Sequence, residues 1–249
     1  MTKSKIEVDR IITNFLRSNL TDINSSRNSN RTNFIFPDFP RTRDLGANDY
    51  PTIGITILNE SSDTLGMYDD NQYETLTVQI DVVAKKGQKF SVTTTDEAVG
   101  TMSSTANSNR LVYAYVPNTI TNIKHATTPY TNVVNRSTVS SFTTLTSGTV
   151  EWATSTGDLN FASADVSSDD GEAITSTSVL TLEGKKLCQY YAREIIKAIR
   201  VNWRTDTTLN GLHDPIKINN TPIPFNEEQG LFRQMVEYEF KSYNIGEGL

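Results

Sequence analysis

Residues 182–203, LEGKKLCQYYAREIIKAIRVNW, decide the fold. Leu187, Tyr191, Ile195, Ala198, Ile199 and Trp203 recur at spacings of three and four, which sets them along one stripe of a helix. Lys185, Lys186, Arg193, Lys197 and Arg200 take much of the other side. A second pattern of this strength stands near the start of the chain. There Val8, Ile11, Ile12, Phe15, Leu16 and Leu20 follow an S-x-x-E capping box made by Ser4 and Glu7. It predicts a helix over 5–20. The question is why the other helix comes about 160 residues later, and what it packs on.

Working outward, two strands precede it. Residues 51–58, PTIGITIL, put Ile53, Ile55 and Ile57 on one face. In 74–85, Leu76, Val78, Ile80 and Val82 point one way and Thr75, Thr77, Gln79 and Asp81 the other. One face packs and one meets water, as in an antiparallel sheet covered on one side. Between them, 59–73 reads as a polar connection carrying Tyr68 and the acidic pair Asp69 and Asp70. After the helix, 204–214 reads as a polar loop. Residues 215–223, PIKINNTPI, read as a tight hairpin turning at Asn219-Asn220, because Asn tolerates positive φ. Residues 231–243 read as a closing strand in which Phe232, Gln234, Val236, Tyr238 and Phe240 alternate with polar neighbours.

Residues 91–180 differ in texture. They hold three Lys/Arg (Arg110, Lys124, Arg136) against eight Asp/Glu, and about a third of them are Ser or Thr. Short strands are expected at 111–116, 138–145 and 149–153, with weaker ones near Val133 and at 159–161. Trp152, Phe142, Tyr113, Tyr115 and Phe161 would supply a core, as in a small β-sandwich or roll. Residues 162–178 read as a return linker. The expected organisation is therefore a discontinuous α+β core, 1–90 plus 181–249, interrupted by an inserted Ser/Thr-rich β domain at 91–180. In the core, two amphipathic helices would cover an antiparallel sheet.

The loop 21–50 contains an apolar island, Phe34-Ile-Phe36-Pro-Asp-Phe39-Pro40, held extended by its prolines. It fits a sheet edge or a neighbouring subunit. Arg27, Arg31, Arg41 and Arg43 give the loop a basic lean.

The chemistry-bearing residues form no catalytic constellation. His125 and His213 are the only histidines, and His213 beside Asp214 and Pro215 reads as a turn. No P-loop, G-x-S-x-G or G-x-G-x-x-G occurs. Cys188 is the single cysteine, which leaves no intrachain disulfide and no zinc ligand set. Asp165, Asp169, Asp170 and Glu172 lie close in sequence, but Gly171 falls one place late for an EF-hand loop counted from Asp165, so they read as a solvated acidic linker. The expectation is no enzyme, no cofactor and no metal. A net charge of −6 argues against nucleic-acid binding. No apolar run approaches the roughly 20 residues of a membrane span, and the N-terminus has no signal-peptide core. A soluble protein made in a cytoplasm is expected.

Three pieces of the core carry a likeness. They are the opening helix IEVDRIITNFLRSNL (6–20), the strand pair YPTIGITIL (50–58) and YETLTVQIDVVAKKGQ (73–88), and the late helix REIIKAIRVNW (193–203) with its closing strand FRQMVEYEFKSYNI (232–245). In element order and strand texture the chain resembles the tail terminator (tail completion) proteins of long-tailed viruses of bacteria and archaea. The likeness covers about 160 residues, and the excursion at 91–180 departs from it. The resemblance implies an α+β fold and a homo-oligomeric ring, usually a hexamer. Such a ring stops growth of the tail tube and presents a surface to the neck or head–tail connector. Its partners would be its own copies, the tail tube protein and the neck protein. Viral DNA would pass the lumen without sequence-specific binding, and no membrane is involved. Its place would be the virion tail or neck, after assembly in the host cytoplasm.

A closing ring needs a heterologous interface. The candidate contacts are Phe34, Phe36 and Phe39 with Arg41 and Arg43, then Tyr68, Asp69 and Asp70, and the edge of the closing strand. Rival expectations are another neck, connector or baseplate subunit, and a virion adhesin that binds the host surface through 91–180. An enzyme using the acidic stretch Asp165 to Glu172 ranks last.

Overall fold

The computed structural model describes residues 5–27, 33–40, 44–64, 71–101, 113, 117–125, 128–130, 132–136, 147–153, 158–161, 173–209 and 211–245. In chain order the main elements begin with α1 (Lys5–Asn19), β1 (Ile35–Pro37), β2 (Thr52–Thr64), β3 (Asn71–Lys85) and β4 (Lys89–Thr101). Next come β5 (Thr119–His125), β6 (Thr128–Tyr130), β7 (Asn132–Arg136), β8 (Thr149–Ala153), β9 (Leu159–Phe161) and β10 (Ala173–Glu183). The chain ends with α2 (Gly184–Asn202), β11 (His213–Asn226) and β12 (Leu231–Ile245). This is a sheet-rich α+β protein. Two compact units divide it: Met1–Lys89 with Glu183–Leu249, and Phe90–Leu182.

The first unit holds a five-stranded sheet in the order β1-β2-β3-β12-β11. β3 and β12 pair without a break from Lys85↔Leu231 to Asn71↔Ile245. Alternation then decides which side chains are inside. Ile53, Ile55, Leu76, Ile80, Val82 and Val236 are all fully buried on one face. α2 lies against β3 and β12, and α1 against β1 and β2. The stripe read from the sequence is the buried one: Leu187, Tyr191, Ile195 and Ile199 of α2 and Ile12, Phe15 and Leu16 of α1 are inside. Each such side chain contributes about 2 kcal/mol by leaving water. Cys188 sits in the same packing, and burial pushes its thiol up to about 12.

Polar ties fix the loops to this frame. The Tyr191 hydroxyl donates to the Thr21 carbonyl at 3.1 Å and accepts from the Ile23 amide at 3.1 Å. Arg17 reaches the Ile35 carbonyl at 2.6 Å, joining α1 to β1. Arg27 is no solvated charge. Its guanidinium bonds Asp22 and the Asp49 carbonyl, reaches the Pro51 carbonyl at 2.7 Å, and stands 5.5 Å from the centre of the Phe34 ring.

The second unit contains a four-stranded sheet, β4-β10-β5-β6, and a three-stranded sheet, β7-β8-β9. Both feed one core: Val99, Ile120, Ile123, Tyr130 and Ile174 come from the first, Trp152, Val150, Leu159 and Phe161 from the second. Tyr113 packs on this core and donates to Ser176 Oγ at 2.7 Å. Phe142, Tyr115 and the strand expected at 138–145 lie outside the described residues, as do all but Tyr113 of the strand expected at 111–116 and the capping residue Ser4.

Four expectations need correction. Residues 215–223 are not a hairpin: β11 runs straight through Asn219-Asn220, and the chain turns at Glu227 to Gly230. The polar connection at 59–73 is mostly strand, because β2 continues to Thr64 and β3 starts at Asn71. Residues 162–172 lie outside the described residues; from Ala173 on, the linker expected at 162–178 gives way to β10, as do the first two residues of 182–203. Its inward positions include Ser176 and Ser178, which are buried through hydroxyl pairs such as Thr94 Oγ1 to Ser178 Oγ at 2.8 Å. Leu182 completes that strand, so α2 starts at Gly184. There φ is +50°, and an added Cβ would lie 2.8 Å from the Phe232 ring, so glycine alone suits the corner. Finally, β12 is not an edge strand, since β3 and β11 flank it.

Candidate assembly surface

The apolar island is fastened to its own sheet. β1 pairs in parallel with β2, Phe36 opposite Gly54. Phe34 is buried, its ring 5.6 Å from that of Tyr191. Phe36 is partly buried. Phe39 crosses to the other face of the sheet and packs on Leu45, Tyr50, Val83 and Leu231. It lands on Gly54, where a Cβ would stand 2.5 Å from the ring and 2.9 Å from the Phe39 Cα. That explains a glycine in the middle of an otherwise β-branched strand. The sheet edge, one of the positions weighed for the island, is where β1 lies. Arg41, Arg43, Tyr68, Asp69 and Asp70 lie outside the described residues.

Beyond that apolar cluster the Phe39 face of the sheet turns polar. Asp81, only 3% exposed, takes two hydrogen bonds from the Arg233 guanidinium at 2.8 and 2.7 Å and a third from Gln79 Nε2 at 2.6 Å. These bonds hold Arg233 in its charged form, above its ordinary range, against the opposing effect of burial. A cavity of about 310 Å³ beside them is lined by Phe39, Val83, Ile223, Pro224, Leu231 and Arg233. Down β12 from this pair, the face continues through Met235, Glu237, Glu239 and Lys241, all partly exposed.

The sheet has two open borders. On one side β11 pairs only with β12, and it is exposed along most of its length. Pro222 and Pro224 sit two apart, so their ring nitrogens turn to the same border. A proline is tolerated in a strand only where its missing N–H faces away from the ladder. On the other side β1 covers β2 at Ile53 to Ile55, and Asp38 N adds a bond to the Ile55 carbonyl at 2.8 Å. Beyond Ile55 no described strand lies outside β2. Large apolar side chains are exposed at both borders: Leu58 at 50%, Ile216 at 52% and Ile218 at 50%.

Near the inner end of the β2–β3 hairpin, the Glu74 carboxyl is buried, and Oε2 has no partner. Burial, and then the nearby Glu60, raise it above the usual carboxylate range. A second cavity, about 470 Å³, follows α2 and is lined by Trp203, Arg204, Asp206 and His213 among others. Asp206 accepts from Asn19 Nδ2 at 2.8 Å, which makes it part of the tie between α1 and the chain after α2. His213, Asp214 and Pro215 are the start of β11 and not the turn expected; Asp214 has φ +48° where the register with β12 shifts between His213 and Ile216. Among the described residues no group of three or more His, Cys, Asp or Glu is placed to hold a metal ion. The stretch Asp165 to Glu172 lies outside them. Among the described residues no helix is long and apolar enough to cross a membrane.

The residues that sequence reasoning missed are those of β11 and the outer part of β2. Their signal was faint. An edge strand exposed on both faces shows no apolar alternation, and only the paired prolines mark it. Compared with known proteins, the chain matches no family model, no curated protein and no solved structure.

Proposed function

We propose that the chain is a structural virion protein that forms a ring at the head-proximal end of the tail tube. The ring ends tube polymerisation and joins the tail to the neck or head–tail connector. The observation that carries the reading is the composition of the first compact unit. All the pieces that resemble tail terminators fall within it, and β2, β3 and β12 of that likeness are hydrogen-bonded neighbours in one sheet. In this reading α1 and α2 cover one face of the sheet, and the polar Asp81–Arg233 face stays available to a partner. The work is binding and closure, so no catalytic residue, cofactor or metal is called for. The partners are its own copies, the tail tube protein and the neck protein. Outside 91–180 the charges nearly balance, 20 Lys/Arg against 21 Asp/Glu. That suits a lumen through which DNA must slide without being held by its phosphates.

In the same reading Phe90–Leu182 is a module inserted at a single loop of the ring-forming core. Lys89 and Glu183, the residues flanking it, form an ion pair at 3.1 Å, so the chain leaves and returns at one place. A module attached at one place decorates a particle without entering its closure. Electron microscopy of the purified full chain tests the central claim. A closed ring with a lumen wide enough for duplex DNA supports it, and a monomer at high concentration refutes it. Replacing 92–178 with a short Gly/Ser linker tests the module: rings are expected to persist, and loss of folding or of rings makes the module integral to the core.

A further inference from the structure

The register of the five-stranded sheet shows where its borders are open. One row of partners runs Ile35, Ile53, Val82, Gln234, Pro222. At this level both borders are closed, by β1 on one side and by a proline on the other. A second row runs Asn59, Thr77, Glu239, Ile216. At this level β2 has run past β1, and β11 is free of proline from Ile216 to Thr221, with Pro215 bounding that stretch at its start. The two open stretches are therefore at the same end of the sheet.

The same level carries the exposed aliphatic side chains. In β2 the register skips one residue between Ile57 and Asn59, so Leu58 is the extra residue of a bulge opposite Val78 and Thr77. In β11 it skips one between Lys217 and Asn219, so Ile218 is the extra residue of a bulge opposite Tyr238 and Glu237. Tyr238 and Glu237 in turn pair with Val78 and Gln79. Leu58 and Ile218 are thus displaced outward from opposite borders within about one residue of the same height. Prolines and bulges blunt an edge against chance pairing, but the bulged positions themselves are uncharged. These carry leucine and isoleucine, half exposed, with Ile216 beside them.

Charge follows the same arrangement. Glu60 is exposed on the β2 border and Lys217 on the β11 border, and neither has an ion-pair partner among the described residues. Strand directions also fit. Three successive antiparallel pairings make β2 and β11 of one chain antiparallel, so a rotation that brings β11 against a neighbour's β2 continues the antiparallel pattern.

We infer that the ring closes by seating the open half of β11 against the open half of β2 in the next copy, with Leu58 against Ile216 and Ile218 and Glu60 near Lys217. The occupant of each border is a second copy of this chain, and the contact is head-to-tail. The closed parts of the borders, β1 on one side and Pro215, Pro222 and Pro224 on the other, limit how far the neighbour can slide along the strands. The inference rests on the ring reading above and names its interface.

The test uses the full chain carrying Leu58→Cys and Ile218→Cys together with a short bismaleimide. Within one chain the two positions are three strand spacings apart, about 14 Å, on opposite borders, so ladders arise only between copies. The native Cys188 is buried and stays unlabelled. The expected result is a series of covalent oligomers ending at the ring size, while each single variant stops at dimers. Rings seen by microscopy without such a series overturn this interface and leave the ring reading standing. Absence of rings from the native chain overturns both. Charge reversal supplies a second readout on exposed side chains: Lys217→Glu and Glu60→Lys each weaken association about fivefold, and the double reversal restores it. Additive losses in the double variant overturn the pairing.

Discussion

Gly54→Ala is expected to destabilise the first unit, although the same change in a strand interior ordinarily gains 0.5–1 kcal/mol, roughly, from backbone entropy. The reason is the landing of Phe39. An alanine Cβ would stand 2.5 Å from the ring, 2.8 Å from the Phe39 Cβ and 2.9 Å from its Cα. Turning the ring relieves the first contact only. The segment between Pro37 and Pro40 must lift, and Phe39 then loosens from Val83 and Leu231. Overpacking of this kind costs about 1–3 kcal/mol. After the backbone gain is subtracted, a net loss of about 1 kcal/mol remains, or roughly fivefold faster opening. Native-state hydrogen exchange read on β2 and β3 peptides is the suitable assay, because two compact units make a single global transition unsafe. The reasoning also predicts non-additivity: in a Phe39→Gly background, Gly54→Ala is expected to cost less than half as much. A neutral or stabilising Gly54→Ala, or equal costs in both backgrounds, refutes it.

Three further outcomes follow from the same coordinates. Arg233→Ala strips two bonds from the buried Asp81 and is expected to cost about 2 kcal/mol by exchange in β3 and β12, the figure being held down because Arg233 itself is partly exposed. Tyr191→Phe leaves the Ile23 amide and Thr21 carbonyl without their partner, for an expected loss of about 1–2 kcal/mol seen in faster exchange at residues 21–24. Glu74 binds its proton more tightly folded than unfolded. It therefore costs nothing below its unfolded pKa, and stability falls as pH rises from there through the higher folded value. Glu74→Gln is expected to flatten that part of the pH–stability profile and to be the more stable form at neutral pH. A Glu74→Gln profile that runs parallel to the wild-type profile through that window contradicts the assignment.

What the sequence revealed depended on how strongly burial was written into its period. α1 and α2 were plain because one stripe of each is apolar. β3 and β12 were plain because alternate residues are. β10 was hidden by Ser176 and Ser178, which are buried through hydroxyl pairs and so break the hydrophobic count. β11 was hidden for the opposite reason: hydrogen bonds to β12 hold it while water reaches both faces. Asn219-Asn220 then looked like a turn, although Asn219 Oδ1 spends its acceptor capacity on the Asn220 amide and the Thr221 hydroxyl within a continuous strand. The candidate surface was only half legible. Phe34 and Phe39 were recognisable as docking side chains, but their dock is the chain's own sheet. Which strands form the borders depends on topology, and no local pattern carries that.

The ion pair at Lys89 and Glu183 has a consequence for how the chain folds. Lys85 and Leu231, partners at one end of the central ladder, are 146 residues apart in sequence. Bringing them together from an open chain is slow, because the entropy of so long a loop is lost before any contact forms. β4 and β10 are neighbours in the second unit, and their outer ends are the points where the chain leaves and re-enters the first. Once that unit has folded, its 93 residues no longer count as free chain. The remaining loop is about a third as long, which saves about 1 kcal/mol of closure entropy. The excursion that delays α2 in the sequence thus acts as a clamp in time, and the central ladder closes faster behind it.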